Sequence, residues 1–128
     1  MSFSFEYIIQ FRDTDAAGVV YFSNIMSICH VAYEASLIAS GIDLKSFVNN
    51  PEFAVPIVHA STDFFKPLYC GDRIIIELTP RSIDSCRFEV NYQLSAATAI
   101  TKHVVINPKT RKRQELPTIL TNWLEQWS

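Results

Sequence analysis

From Phe5 to Phe11 the odd positions are Phe5, Tyr7, Ile9 and Phe11, and the even ones are Glu6, Ile8, Gln10 and Arg12. Period 2 predicts a strand with one apolar face. Asp13 and Asp15 continue the odd phase. The strand either ends just before them or aims its buried face at two carboxylates. Further on, Ile25, Ile28, Cys29, Ala32, Ala35 and Ala39 recur at helical spacing and predict a helix over 25–40. Ser23 or Asn24 is its candidate N-cap and Gly41 its candidate C′ residue. Ser27, His30 and Glu34 make its one polar stripe. A helix that is apolar over the rest of its circumference is expected to be enclosed rather than laid on a surface.

Residues 42–52 read as a polar connection, after which strands follow in quick succession over 53–65, 73–81, 86–95 and 97–107. The turns between them are short, so the strands must be mostly antiparallel. The last stretch, LPTILTNWLEQWS, allows a short C-terminal helix. One strand, one long helix and four more strands predict an α+β fold, a curved five-stranded antiparallel sheet wrapped around one long central helix. Such a sheet leaves an edge and a face uncovered, which favours an oligomer.

The chain of 128 residues is the size of a single domain, 1–128. A net charge of −2 with mixed signs argues against a nucleic-acid or membrane-surface partner. Glu6 and Gln10 break up the N-terminal apolar residues, which lack a basic region, so the start does not read as a secretory signal. No apolar run approaches the roughly 20 residues needed to span a bilayer. Cys29, Cys70 and Cys86 are odd in number and lack CxxC spacing, and read as reduced packing residues of a cytoplasmic protein.

Asp15 has two readings. It is a turn residue whose oxygens accept backbone N–H bonds, or a carboxylate set beside the unpaired N–H groups at a helix start. The second arrangement suits acyl transfer, with one group attacking or activating water and the other holding the oxyanion. Gly18 would let the backbone approach a substrate. Asp13 is expected to anchor the turn or pair with Arg12. His30 and Glu34, at i and i+4, form either a satisfied polar pair or a pocket wall facing a polar substrate group. In the strand 53–65, Val58, Ala60, Thr62 and Phe64 share one face, where small residues would let the helix lie close. His59, on the other face, reads as structural or interfacial. The histidines lack metal-ligand spacing, and the Ser elbow, GxGxxG and P-loop motifs are missing. The basic run Lys109–Arg113 covers a hairpin turn or touches a phosphate-bearing ligand.

The stretch Asp13-Thr14-Asp15-Ala16-Ala17-Gly18-Val19-Val20-Tyr21-Phe22 resembles the D-x-D-x-x-G-[IV]-V signature, followed by aromatics, of the 4-hydroxybenzoyl-CoA thioesterase family of hotdog-fold proteins. The family match covers about residues 1–95. Three blocks, DTDAAGVVYF, CHVAYEAS (29–36) and FAVPIVHASTDFFKPLYCGDRI (53–74), are more specifically similar to its cyanobacterial branch acting on 1,4-dihydroxy-2-naphthoyl-CoA in phylloquinone or menaquinone formation. The resemblance implies a hotdog fold and a thioester hydrolase that needs no cofactor. It implies Asp15 as catalytic carboxylate and the backbone N–H near Phe22 as oxyanion donor. Gly18, Tyr21, His30, Glu34 and His59 are then the candidate substrate contacts, and Arg111, Lys112 and Arg113 the candidate CoA contacts. Some relatives carry His at the position of Phe22 and Tyr at that of Phe11. Neither is present here, which leaves Asp15 as the strong catalytic side chain. The family also implies dimers or tetramers with active sites between subunits. A broader aryl- or short-chain acyl-CoA thioesterase and a non-catalytic acyl-CoA binding module are the competing readings.

Overall fold

The computed structural model describes residues 1–128. Five antiparallel strands lie in the order β1-β3-β4-β5-β2, with β1 Phe3–Ile8, β2 Ile57–Phe64, β3 Arg73–Ser82, β4 Arg87–Gln93 and β5 Ala97–Val104. The long helix α1, Phe22–Ala39, covers one face of the sheet. Alternation sends Ile74, Ile76 and Leu78 of β3, Phe88, Val90 and Tyr92 of β4, and Ala97, Ala99, Thr101 and His103 of β5 into the core. There they meet Ile25, Ile28, Cys29, Ala32, Tyr33 and Leu37 of α1. This is the expected α+β hotdog arrangement.

A C-terminal helix, α3 (Thr118–Trp127), completes the core beside α1. Trp123 is fully buried. Its indole N–H donates to Ser36 Oγ at 2.9 Å, and its ring packs edge-on against Tyr33 and Phe88. Trp127 makes the matching bond to Ser40 Oγ at 2.9 Å. The opposite face of the sheet carries ion pairs, Arg81 with the buried Glu89 at 2.5 Å and Arg73 with Glu6, beside the exposed Ile8 and Ile75.

Several boundaries differ from the sequence reading, each for a physical reason. The first strand stops at Ile8 and the chain enters a 3-10 turn, Phe11–Asp13, so Phe11 is 85% exposed rather than in the apolar phase. The turn is drawn in by Asp13, whose Oδ2 accepts from Gln10 N–H at 2.8 Å. α1 begins at Phe22, and neither Ser23 nor Asn24 caps it. Asn24 instead donates through Nδ2 to the Asp13 carbonyl at 2.9 Å. At the other end Gly41 (φ 84°) is the C′ residue as expected, with Gly41 N–H bonded to Ile38 O and Ile42 N–H to Leu37 O. That is the Schellman pattern.

The connection 42–52 holds a five-residue helix, α2 (Leu44–Val48), capped by Asp43. It is too short for periodicity to reveal. The strand expected over 53–65 starts only at Ile57, after Pro56. Ala54 pairs with Ile106 as an isolated bridge, and β5 ends at Val104 rather than 107. Enclosure of α1 is incomplete: Phe22, Ser27, His30, Val31 and Ile38 are exposed. β2 is an edge strand with little helix over it. Thr62 Oγ1 touches Met26 Sδ at 2.8 Å, while Ile57, Val58 and Phe64 remain exposed. No helix is long and apolar enough to cross a membrane.

Because Trp123 joins α3 to both α1 and the sheet, Trp123→Ala should lower unfolding free energy by about 3–5 kcal/mol. Urea titration followed by far-ultraviolet circular dichroism measures this.

Candidate active site

Residues 13–21 form a tight reversal between the 3-10 turn and α1. Thr14 pairs with Val20, and Asp15 N–H bonds Val19 O at 2.8 Å. Gly18 N–H returns to Asp15 O at 3.0 Å, and Gly18 sits at φ 81°, a conformation that favours glycine. Asp15 Oδ1 accepts from Ala17 N–H at 2.8 Å. Asp15 Oδ2 has no partner, and the residue is exposed. The reversal is pinned to the next layer by Val20 N–H to Leu68 O at 2.8 Å and by the Val19–Tyr69 bridge.

The two acids therefore part company. Asp13 is the buried one, and it anchors the turn, as expected. Its Oδ2 also accepts from Tyr7 OH at 2.8 Å. Asp15 is presented outward at the head of α1. That helix start has no side-chain cap, and the N–H groups of Phe22 and Ser23 have no partner. Unpaired donors at a helix N-terminus carry its positive dipole end and suit an anion. One short segment thus offers a free carboxylate oxygen and free N–H donors. Tyr21 and Phe22 flank them with exposed rings 4.7 Å apart.

Three pockets lie along the open side of α1 beside β2. A pocket of about 320 Å³ lies at the helix start, lined by Val20, Ile25, Phe64 and Leu68. A second, of about 250 Å³, includes Met26, Ser27, His30 and Ile57. His30 and Ile57 are shared with the largest, a cavity of about 490 Å³ between α1, α2 and the start of β2. His30 and Glu34 both line this cavity, with Nδ1 and Oε2 3.8 Å apart and both side chains about half exposed. His59 lines none of these pockets and stands on the exposed edge strand. Of the basic run, Arg111 alone reaches the cavity, beside the C-terminal half of α1 and remote from Phe22. Lys112 and Arg113 are solvated on a turn that Asn107 organises. No three His, Cys, Asp or Glu side chains converge as a metal site.

Sequence reasoning missed Tyr33 and His103. His103 is fully buried in β5 and stacked on Phe88 at 4.6 Å, with Nε2 2.8 Å from Thr101 Oγ1. Its Nδ1 and the buried Tyr33 hydroxyl have no hydrogen-bond partner, and both residues line the largest cavity. Burial, helped by the nearby His30, pushes the His103 imidazole down to about 4. Burial raises the Tyr33 hydroxyl and pushes the Cys29 thiol up to about 12, which makes Cys29 a packing residue. The signal for His103 was available: Ala97, Ala99, Thr101 and His103 share the buried phase of their strand.

Residues 9–124 match the model of the thioesterase-like superfamily. The chain belongs to the thioesterase-like superfamily. This thioesterase-like chain is 50% identical to a 1,4-dihydroxy-2-naphthoyl-CoA hydrolase of Nostoc punctiforme, over 98% of its own length and 88% of the relative's. It is 55% identical to a protein of the same name from Rippkaea orientalis, over 91% of each chain. Among solved structures it is similar to a 1,4-dihydroxy-2-naphthoyl-CoA thioesterase from Synechocystis, with a TM-score of 0.92 and 37% identity, covering 97% of this chain and 96% of the other.

Protonation of His103 gives a stability prediction. The unfolded imidazole, near 6.5, takes its proton before the folded one, near 4. Its contribution to stability is fully present above pH 6.5 and is lost as pH falls through 4, by about 3 kcal/mol in all. Urea unfolding between pH 7 and pH 4 should show this decline, and His103→Gln should flatten it.

Proposed function

We propose that this chain hydrolyses the thioester of 1,4-dihydroxy-2-naphthoyl-CoA to 1,4-dihydroxy-2-naphthoate and CoA, a step in making a naphthoquinone. The observation that carries this reading is the pair of relatives of that name, 50% and 55% identical over 98% and 91% of the chain. The head of α1 supplies chemistry that fits it. Asp15, through its free Oδ2, attacks the thioester carbonyl or draws a proton from the attacking water. The Phe22 N–H receives the oxyanion, stabilised by the helix dipole as charge develops. In the first route CoA thiolate leaves behind a mixed anhydride on Asp15, which water then hydrolyses. In the second, water adds directly and its proton passes by way of Asp15 to the thiolate. In both, one water is consumed, CoA ends as the thiol, and no cofactor is called for. Gly18 keeps the backbone low beside the carboxylate, and Tyr21 and Phe22 offer apolar surface to the acyl-CoA. The acyl group lies along the open side of α1, towards His30 and Glu34.

The working form is a homo-oligomer, dimer or tetramer, in which a second copy covers β2 and the open side of α1. Support comes from the exposure of Val58, Phe64, Phe65 and Phe22 along that border, since apolar surface rimming an edge strand marks an interface. Three unpaired cysteines agree with a cytoplasmic setting.

Thiol release from 1,4-dihydroxy-2-naphthoyl-CoA, benzoyl-CoA and a short alkyl-CoA tests the reading in one assay. Fast release is expected from the naphthoyl substrate, and Asp15→Asn should cut kcat about a thousandfold while KM stays within a few fold. Near-normal turnover in that variant would remove Asp15 from the mechanism. Equal rates on all three substrates would leave only a general thioesterase, and no release from any would leave a binding module.

A further inference from the structure

The two pockets nearest the head of α1 are neighbours kept apart by one contact. The head pocket, of about 320 Å³, is lined by Phe64 and Ala97, and the inner one, of about 250 Å³, by Ala60 and Thr101. In the ladder between β2 and β5, Phe64 pairs with Ala97, Thr62 with Ala99 and Ala60 with Thr101. Thr62 and Ala99 therefore stand between the two spaces. Thr62 Oγ1 donates to Met26 Sδ at 2.8 Å, which ties α1 to β2 at that level. Met26 lines the inner pocket, and its neighbour Ile25 lines the head pocket. This divider is easily moved. A thioether is a weak acceptor, and a Met side chain has three rotatable bonds and adapts to what lies against it. Met26 is only part-buried, so the core does not lock it.

We propose that Met26 is the movable divider of the acyl slot, and that the space it closes off against Ala60 takes the unsubstituted fused ring of a bicyclic aromatic acyl group. This rests on the thioesterase reading above and deepens it to substrate size. Phe22 and Met26 are i and i+4, on one face of α1. By helical rise Met26 stands about 6 Å beyond Phe22, and its side chain leans back towards it. An acyl group whose carbonyl is held at the Phe22 N–H therefore ends against Met26 if it has one ring, and has to pass it if it has two.

The chemistry of the inner pocket matches a ring without hydroxyls. Met26, Ile57 and Ala60 give it apolar walls, and Thr101 Oγ1 is already bonded to His103 Nε2 at 2.8 Å. Ser27 and His30 also line it but are exposed, so solvent serves them. Ala60 is the smallest of the helix-facing residues of β2, Val58, Ala60, Thr62 and Phe64, and a longer side chain there would fill the space. On 1,4-dihydroxy-2-naphthoyl-CoA both hydroxyls sit on the ring that carries the thioester. The ring that passes Met26 is therefore hydrocarbon, and the hydroxylated ring stays at the head of α1.

The test compares 1,4-dihydroxy-2-naphthoyl-CoA with 2,5-dihydroxybenzoyl-CoA, which keeps both hydroxyls and lacks only the fused ring. Native kcat/KM should favour the naphthoyl substrate by about a hundredfold, the worth of burying the added hydrocarbon. Ala60→Leu, at an exposed position that tolerates a larger side chain, should lower that ratio at least tenfold. Adding Met26→Ala on the facing wall returns the lost space and should restore most of it. A ratio that Ala60→Leu leaves unchanged, or a loss that Met26→Ala does not restore, overturns the proposal while turnover of both thioesters leaves the thioesterase reading intact. A second readout does not depend on turnover. The chain has two methionines, Met1 and Met26, so the methyl resonance missing from Met26→Ala is that of Met26. In the native chain, isotopically labelled in its methionine methyls, 1,4-dihydroxy-2-naphthoate should shift that resonance by its ring current, and 2,5-dihydroxybenzoate should leave it in place. The selective shift without thiol release from either thioester would keep the ring site and reject the hydrolase. No shift with the naphthoate, or equal shifts with both acids, would reject the divider.

Discussion

Asp13 is bonded on two sides. Its Oδ2 receives Gln10 N–H and Tyr7 OH, both at 2.8 Å, while its carbonyl receives Tyr21 N–H at 3.0 Å and Asn24 Nδ2 at 2.9 Å. One residue thereby links the end of β1, the 3-10 turn, the reversal and the first turn of α1. Charge-assisted bonds to a buried carboxylate are the strong kind, and leaving one unmade is costly. The consequence is directional. With Asp13 fixed inward, the chain can turn Asp15 outward only two residues later, in front of a helix whose first N–H groups are free. Asn24, which could have served near the helix start, is spent on Asp13. The uncapped N-terminus and the exposed carboxylate are thus two results of one anchoring residue.

α1 has to satisfy two surroundings at once. Its inner face is locked by Ile28, Cys29, Ala32 and Leu37 against the sheet, and by Ser36 and Ser40 against the two tryptophans of α3. Its outer side is left open. The weak cover over β2 is what creates that open side: β2 bonds only to β5, and the small residue Ala60 on its helix-facing side leaves room above it. An edge strand with exposed backbone groups is an aggregation hazard unless it is covered. A second copy laid along β2 would remove the hazard and close the open side in one step.

Much of this could be read from residues. The alternation of Phe88, Val90 and Tyr92, the helical spacing from Ile25 to Ala39 and the placing of Gly41 each rest on a single period or a single backbone requirement, and each is observed. The spacing of Asp13, Asp15 and Gly18 pointed to the reversal before α1 because a turn motif is local. What escaped depended on contacts distant in sequence. Phe11 looked apolar-phase because nothing nearby reveals that Asp13 bends the chain first. His59 and His103 have similar strand contexts, yet one lies on an open edge and the other is buried against Phe88 and Tyr33. Strand order decides that, and strand order is set by the whole sheet. The helix looked enclosed because its apolar side chains do not distinguish a core contact from a face left for another molecule.

Tyr33 and His103 show what such a contact distant in sequence costs and how it is held. Two orphaned polar atoms cost about 1–3 kcal/mol each in the empty protein, a real fraction of the 5–15 kcal/mol that typically holds a domain together. A stack running from His30 through Tyr33 and His103 to Phe88, closed by Trp123, makes the surrounding core rigid enough to hold them. Rigidity also keeps the two atoms from relaxing towards each other or towards solvent.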